Sequence, residues 1–227
     1  MTLSNSLSPV TVNRLSLYLR CLHCLSEKGV VKVSSKQLAE MFHLSAAQIR
    51  KDLAQIGGLG IRGVGYDVTD LAQRLQLSLG LDRVHRLVIV GMGNLGRALG
   101  TFLAFDDGRF KIVGAFDTDP DKIGNSLENL EILHIRDLAE VVRSSGAEIG
   151  VLAVPAAVAQ ENYDALVAAG VKAVLNFAPV RLDPDPRIRT KDVDIRTHLE
   201  ELGFFLLQGM STAATADGAF EPCARYR

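Results

Sequence analysis

Six consecutive residues, Gly91-Met92-Gly93-Asn94-Leu95-Gly96, carry the strongest chemical signal in the chain. They follow the apolar run Arg86–Val90 and open a helical stretch that begins near Arg97. A G-x-G-x-x-G run carries weight only in that strand-to-helix setting. The first glycine permits a tight turn, the second lets backbone amides approach a ligand, and the third lets helix and strand pack closely. Amides so placed cradle a pyrophosphate at a helix N-terminus, where free N–H groups and the helix dipole favour negative charge.

Asp117 stands 21 residues beyond Gly96, at the end of the second β-branched run, Lys111–Phe116. That is the position of an acid that accepts ribose hydroxyls. Its charge repels a 2′-phosphate, and Thr118 and Asp119 supply no cation, so NAD(H) is the expected cofactor. Asp117 also reads as a turn residue ahead of Pro120. Val154-Pro155 and Asn176-Phe177-Ala178-Pro179 follow later apolar runs. Parallel sheets bind ligands beyond the carboxyl ends of their strands, so Val154, Pro155, Phe177, Ala178 and Pro179 are expected to border the nicotinamide half. Ordinary proline-stiffened turns are the other reading.

A second set of signals lies upstream. Ser34 precedes Gln37, and Ser45 precedes Gln48, by the spacing of a capping box. Helices are expected over Lys36–Phe42 and Ala46–Gln55, joined by a short turn. That pattern is a helix-turn-helix, whose second helix enters the major groove. At about 100° per residue, Ile49, Leu53 and Ile56 face inward, Ala47 and Lys51 face outward, and Gln48 and Arg50 flank them. Glutamine and lysine read base edges, and arginine does so or holds phosphate. The glycine-rich stretch Gly57–Val68 is expected to form a two-stranded wing carrying Arg62. A flexible linker or a phosphate loop is the alternative.

These elements sit in a chain of 227 residues with 48% hydrophobic and 22% charged residues, the composition of a globular protein. The net charge of −1 divides unevenly: residues 1–80 hold nine Lys and Arg against five Asp and Glu. A basic first third on an acidic remainder fits a polyanion partner for the first part. No apolar run reaches the roughly 20 residues of a membrane span, and Met1–Pro9 does not read as a signal peptide, so a cytoplasmic location is expected. Cys21 and Cys24 lack two further ligands at zinc spacing, so they read as helix-packing residues and no metal is expected. Nor is a catalytic group evident: no histidine is well placed for proton transfer, and Tyr163 is followed four residues later by Val167 rather than lysine.

The expected organisation is a winged helix-turn-helix domain over 1–80 and a Rossmann-like α/β domain with a parallel sheet over 81–192. A C-terminal helix follows over 193–208, and a disordered tail over 209–227. Within the second domain, residues 181–192 read as an extended, solvated connector. The helix they deliver carries Ile195, Leu199, Leu202 and Leu206 on one stripe, which a second subunit would cover.

Taken together, Ser34-Ser35-Lys36-Gln37-Leu38, Gln48-Ile49-Arg50-Lys51-Asp52-Leu53 and Gly63-Val64-Gly65-Tyr66 resemble the N-terminal motifs of the Rex family of redox-sensing repressors. Gly93-Asn94-Leu95-Gly96-Arg97, Phe116-Asp117, Val154-Pro155 and Asn176-Phe177-Ala178-Pro179 are similar to that family's nucleotide motifs, in the same order. The resemblance implies a homodimer with exchanged C-terminal helices that binds a palindromic double-stranded operator with NAD+ and releases it with NADH. Ser35, Ala47, Gln48, Arg50, Lys51 and Arg62 are the expected DNA contacts. It also implies that Asp194, at the start of the exchanged helix, pairs with Arg14. Two positions depart from the pattern: Phe102 stands where a tyrosine is common, and Ile195 where an aromatic is expected near the nicotinamide. Alternatives are a small NAD-dependent oxidoreductase with a helical appendage, a DNA binder that holds CoA or another adenine nucleotide, and one that holds nucleotide for stability alone.

Overall fold

The computed structural model describes residues 7–57, 60–61, 63–104, 108–127 and 130–208. The chain forms two compact units, divided between Asp82 and Arg83.

The first unit is mainly helical. Helix α1 (Pro9–Glu27) begins where Ser8 Oγ accepts the Thr11 N–H at 3.1 Å and Pro9 supplies its fixed φ. After strand β1 (Lys32–Val33) come α2 (Ser35–Met41) and α3 (Ala46–Ala54), then strand β2 (Tyr66–Asp67) and α4 (Val68–Ser78). The turn between α2 and α3 passes through His43 at φ 51°, and the Leu44 N–H returns to the Ala39 carbonyl at 2.9 Å. Ser34 and Gln37 form the full reciprocal box, at 2.8 and 3.1 Å. At Ser45 only half of it forms, because the Gln48 amide donates to Asp52 Oδ1 at 2.8 Å instead of turning back. Leu15, Leu19 and Leu22 of α1 bury against Leu38, Ile49, Leu53, Leu71 and Leu75. Each such side chain contributes about 1.5–3 kcal/mol relative to exposure. Ile49, Leu53 and Ile56 thus point inward as the helical spacing predicts.

The wing is short. Ile61 and Gly65 exchange both backbone hydrogen bonds at 2.9 Å, and β2 pairs antiparallel with β1. Arg62, expected on this wing, lies outside the described residues, as does the tail over 209–227.

The second unit is an α/β sandwich. Its elements run β3 (His85–Val90), α5 (Asn94–Ala104), β4 (Phe110–Asp117), β5 (Ser126–Leu127), β6 (Leu130–His134), α6 (Leu138–Ser145), β7 (Ile149–Leu152), α7 (Ala156–Ala169), β8 (Ala173–Asn176), β9 (Arg189–Asp192) and α8 (Ile195–Leu207). The sheet order is β5-β6-β4-β3-β7-β8-β9, parallel throughout except for β5 on β6. Leu87 and Ile89 of β3 pack with Leu99 and Leu103 of α5, while Val88 and Val90 pack with Val142 of α6 and Tyr163 of α7. A strand buried on both faces needs an unbroken apolar run, which is what Arg86–Val90 offers.

Two segments differ from expectation. Residues 189–192 of the expected connector form β9, a charged edge strand paired with β8. It has no apolar alternation to betray it, because its backbone finds partners along β8 while Arg189 and Lys191 face water and Thr190 and Asp192 bond to Tyr163 and Asn176. Strands β5 and β6 also went unmarked in the sequence, being short and interrupted by polar residues. Helix α8 forms as expected, capped by Asp194, yet buries no residue: Ile195, Leu199, Leu202 and Phe204 through Leu207 are all exposed. Among the described residues, no helix is long and apolar enough to cross a membrane.

Candidate functional site

Strands β3 and β7 are neighbours, but their following helices cover opposite faces of the sheet. The loops leaving them, Gly91–Gly93 and Ala153–Pro155, therefore border a crevice at the topological switch point, where open parallel sheets bind ligands. Gly91 has φ +94°, and a Cβ there would strike the Ala153 carbonyl and come within 2.7 Å of Val154 Cγ1. At Gly96 a Cβ would strike the Gly91 carbonyl oxygen, so the helix can start this close to the strand only with glycine. Gly93 differs: nothing lies within 4 Å of the missing Cβ, which leaves open space beside the loop. Such a cradle, at the start of an eleven-residue helix with no acid in its first turn, fits a pyrophosphate. Asn94 and Leu95 are exposed on that first turn, and Met92 is fully buried beneath it.

Asp117 closes one end of the crevice. Its Oδ2 accepts the Met92 N–H at 2.7 Å and the Lys122 ammonium at 3.1 Å. Its Oδ1 accepts the N–H groups of Thr118 at 2.8 Å and Asp119 at 2.9 Å. Burial alone would raise this carboxyl's pKa, but the Asp119 and Met92 amides and the Lys122 cation outweigh it and hold the group below the usual range. Asp117 is thus both the turn residue and the tie between β4 and the glycine loop. Lys122 places beside Asp117 the cation that Thr118 and Asp119 do not supply. Its spacing of five residues from Asp117 is the signal.

At the other end, the loops after β7 and β8 lie side by side, with the Phe177 N–H donating to the Leu152 carbonyl at 2.8 Å. Asn176, buried, holds the second loop: its Oδ1 accepts the Ala178 N–H at 2.9 Å and its Nδ2 donates to Asp192 Oδ1 at 2.8 Å. Val154 and Phe177 are half-buried, Ala178 is buried, and Pro155 and Pro179 are exposed. Helix α7 starts at this rim with no side-chain cap.

In the first unit, α3 exposes Ala47, Arg50 and Lys51. Arg50 Nη1 donates to Ser35 Oγ at 3.1 Å, which joins the start of α2 to the outer face of α3. Two grooves flank this helix: one of ≈ 520 Å³ walled by Ser35, Arg50 and the wing residues Ile61 and Val64, and a more polar one of ≈ 470 Å³ walled by Ser8, Arg14, Gln48 and Lys51. Gln48 is half-buried, its amide committed to Asp52.

Asp52 itself was not singled out by the sequence. It is a buried carboxylate on the inner side of α3, 1% exposed. Arg14 grips it with Nε at 2.7 Å and Nη2 at 2.8 Å, and Tyr18 Oη donates at 3.0 Å. Burial raises its pKa, yet hydrogen bonds from Arg14, Gln48 and Tyr18 hold it below the ordinary value, while the Tyr18 phenol, buried beside a carboxylate, is pushed up. The Arg14 guanidinium is therefore already engaged with Asp52, through Nε and Nη2. Asp194 caps α8, accepting the Arg196 N–H at 3.0 Å and the Thr197 hydroxyl at 2.8 Å. Phe102 is 64% exposed and Ile195 56%, so neither apolar side chain is covered by its own unit. Cys21 packs in the helical core, where burial pushes its thiol up to about 11 and disfavours the thiolate.

Residues 82–180 match the family described as "CoA binding domain", and residues 6–54 the family described as "Putative DNA-binding protein N-terminus". The redox-sensing transcriptional repressor Rex of Desulfitobacterium hafniense is 45% identical over 194 residues, covering 86% of this chain and 92% of that protein. That of Streptomyces coelicolor is 40% identical over 223 residues, 98% of this chain and 86% of the other. Among solved structures, the Rex-family repressor RSP in complex with β-NAD+ and operator DNA aligns with TM-score 0.82 and 32% identity, covering 92% of this chain and all of that one. RSP with β-NADH aligns with TM-score 0.79 and 31% identity, covering 90% and 96%.

Proposed function

Because this chain belongs to the Rex family of redox-sensing transcriptional repressors, we propose that it represses transcription from a palindromic operator when NAD+ fills its crevice and leaves DNA when NADH does. The observation that carries this is the cradle formed by Gly91 and Gly96 with Asp117, in a chain whose other unit exposes Ala47, Arg50 and Lys51 on the second helix of a helix-turn-helix. RSP, similar over nearly the whole chain, binds NAD+ with operator DNA and also binds NADH.

In this assignment residues 91–96 hold the pyrophosphate on the amides that open α5, and Asp117 receives the adenosine ribose. Val154, Pro155, Phe177, Ala178 and Pro179 border the nicotinamide, whose charge differs between the oxidised and reduced forms. Arg50 and Ser35 meet phosphate along one groove, Lys51 and Ala47 face bases, and Arg62, by its place in the sequence, serves a minor groove or a phosphate. Gln48 reads a base only if its amide leaves Asp52. A second copy of the chain covers the apolar faces of α8, and Asp194, Ile195 and Phe102 belong to that exchange. The protein works in the cytoplasm as a sensor; the nucleotide is a signal rather than a substrate.

A ligand shifts an equilibrium only by the difference in its affinity for the two states. A coupling of about 1–3 kcal/mol changes operator affinity by roughly 5- to 150-fold. The test is to select an operator from random-sequence DNA, then measure binding by fluorescence anisotropy with NAD+ and with NADH. NADH should weaken binding by such a factor. Equal affinity with both, or steady turnover of NADH with a small carbonyl compound, would overturn the proposal.

A further inference from the structure

We propose that Lys122 is a specificity-determining residue: its ammonium occupies a ribose-hydroxyl position on Asp117 and is the cation that meets a 2′-phosphate. It thereby narrows the preference for NADH over NADPH. This rests on the assignment of the glycine cradle to a dinucleotide.

A carboxylate offers about four lone-pair positions. On Asp117 all four are taken, by the N–H groups of Met92, Thr118 and Asp119 and by the Lys122 ammonium. A ribose diol that donates to this carboxylate has to displace something. Three of the donors are main-chain groups with little freedom. The Met92 amide follows Gly91, whose own N–H is held by the Phe116 carbonyl at 2.8 Å, and the Thr118 and Asp119 amides belong to the turn that Asp117 caps. Lys122 alone among the four donates from a flexible, partly exposed side chain. The incoming hydroxyl therefore takes the place of the ammonium.

The displaced ammonium cannot go far. Lys122 N–H donates to the Asp119 carbonyl at 3.0 Å, which sets the turn, and Nζ already lies 3.3 Å from Asp119 Oδ2. The charge that remains beside the ribose is then two carboxylates and one ammonium. For a plain ribose, Lys122 acts as a competitor for Asp117. For a ribose 2′-phosphate, which cannot donate in place of the lost hydroxyl, Asp117 and Asp119 repel and Lys122 offsets part of that repulsion. Both effects move the two affinities toward each other.

The experiment is calorimetric titration of the full chain, wild type, Lys122→Met and Lys122→Arg, with NADH and with NADPH as a competitor of NADH. Removing the ammonium should leave NADH binding equal or tighter and weaken NADPH about fivefold or more, the scale of a partly exposed charge-assisted contact. Lys122→Arg should keep the wild-type ratio. Because the charge beside the ribose is net negative, screening should make NADPH affinity fall less steeply with added salt than NADH affinity, and the gap between the slopes should widen in Lys122→Met. An unchanged or reduced ratio in Lys122→Met, equal loss of both ligands, parallel salt slopes, or no competition by NADPH in the wild type would overturn the proposal while leaving the nucleotide site intact. A wild-type protein that binds neither nucleotide would overturn the site assignment itself.

Discussion

Each unit of the chain holds one carboxylate near the centre of its machinery, and the two are satisfied in different ways. Asp52 takes side-chain donors: Arg14 and Tyr18 from α1, 38 and 34 residues away in sequence, and Gln48 one turn earlier. Asp117 takes mainly backbone donors, two from its own turn and one from the glycine loop, with a single mobile ammonium added. The first arrangement is closed, because α1 and α3 must be in register for it to exist, and it leaves no acceptor for a ligand. Its role is to set the face that α3 presents. The second is built on a rigid frame with one replaceable donor, which is what a binding site requires. Burial alone does not separate a structural acid from a ligand-binding one; the mobility of the donors does.

The largest effect should come from breaking the closed arrangement. Asp52→Asn strands a half-buried guanidinium and should destabilise the first unit by about 3–5 kcal/mol, as loss of one partner of a buried ion pair does. Urea unfolding followed by circular dichroism would measure it, and DNA binding should fail while nucleotide binding survives. Loss of both would break the comparison.

Gly91→Ala tests the frame of the other acid. A non-glycine residue at this φ costs about 1–3 kcal/mol before the clash with the Ala153 carbonyl is counted. Nucleotide binding should disappear, read by calorimetry, with hydrogen-exchange protection of α1 and α3 unchanged.

Acid sharpens the contrast further. Both carboxyls have folded pKa values below their unfolded ones. Each therefore contributes stability in full above its unfolded pKa of about 4, and loses it as pH falls through the folded value. Thermal melts should be flat from neutral pH to about 5 and fall below about 4. In Asp52→Asn, the part of that fall belonging to the first unit should vanish. A fall already under way at pH 6 would contradict the assignment.

The smallest expected change is at the surface. Lys51→Ala should weaken operator binding and relax its sequence preference, with the slope of log affinity against log salt nearly unchanged, as loss of a base reader does. A slope lowered by about one with unaltered preference would make Lys51 a phosphate contact instead.

Much of this was legible in the residues. The glycine spacing, the acid after β4 and the unbroken apolar runs are local signals, and each corresponds to a backbone requirement that sequence states directly. The inward face of α3 followed from helical period alone. What escaped notice shares one character. Asp52 looks like an exposed helix charge until α1 lies against it. Strand β9 is polar because it sits at the sheet edge, and Lys122 reads as one more turn lysine. Gln48 was expected to complete a cap and turn outward, but Asp52 offered its amide a stronger, charged acceptor.

By itself, then, the amino-acid order determined which segments become helix and strand, where the chain must bend without a side chain, and which faces are apolar, because these depend on neighbours a few residues apart. Only the folded chain decided which polar groups are already spoken for. Hydrogen-bond partners come from any distance along the sequence, and a donor bound inside the protein is not available to a base or a ribose.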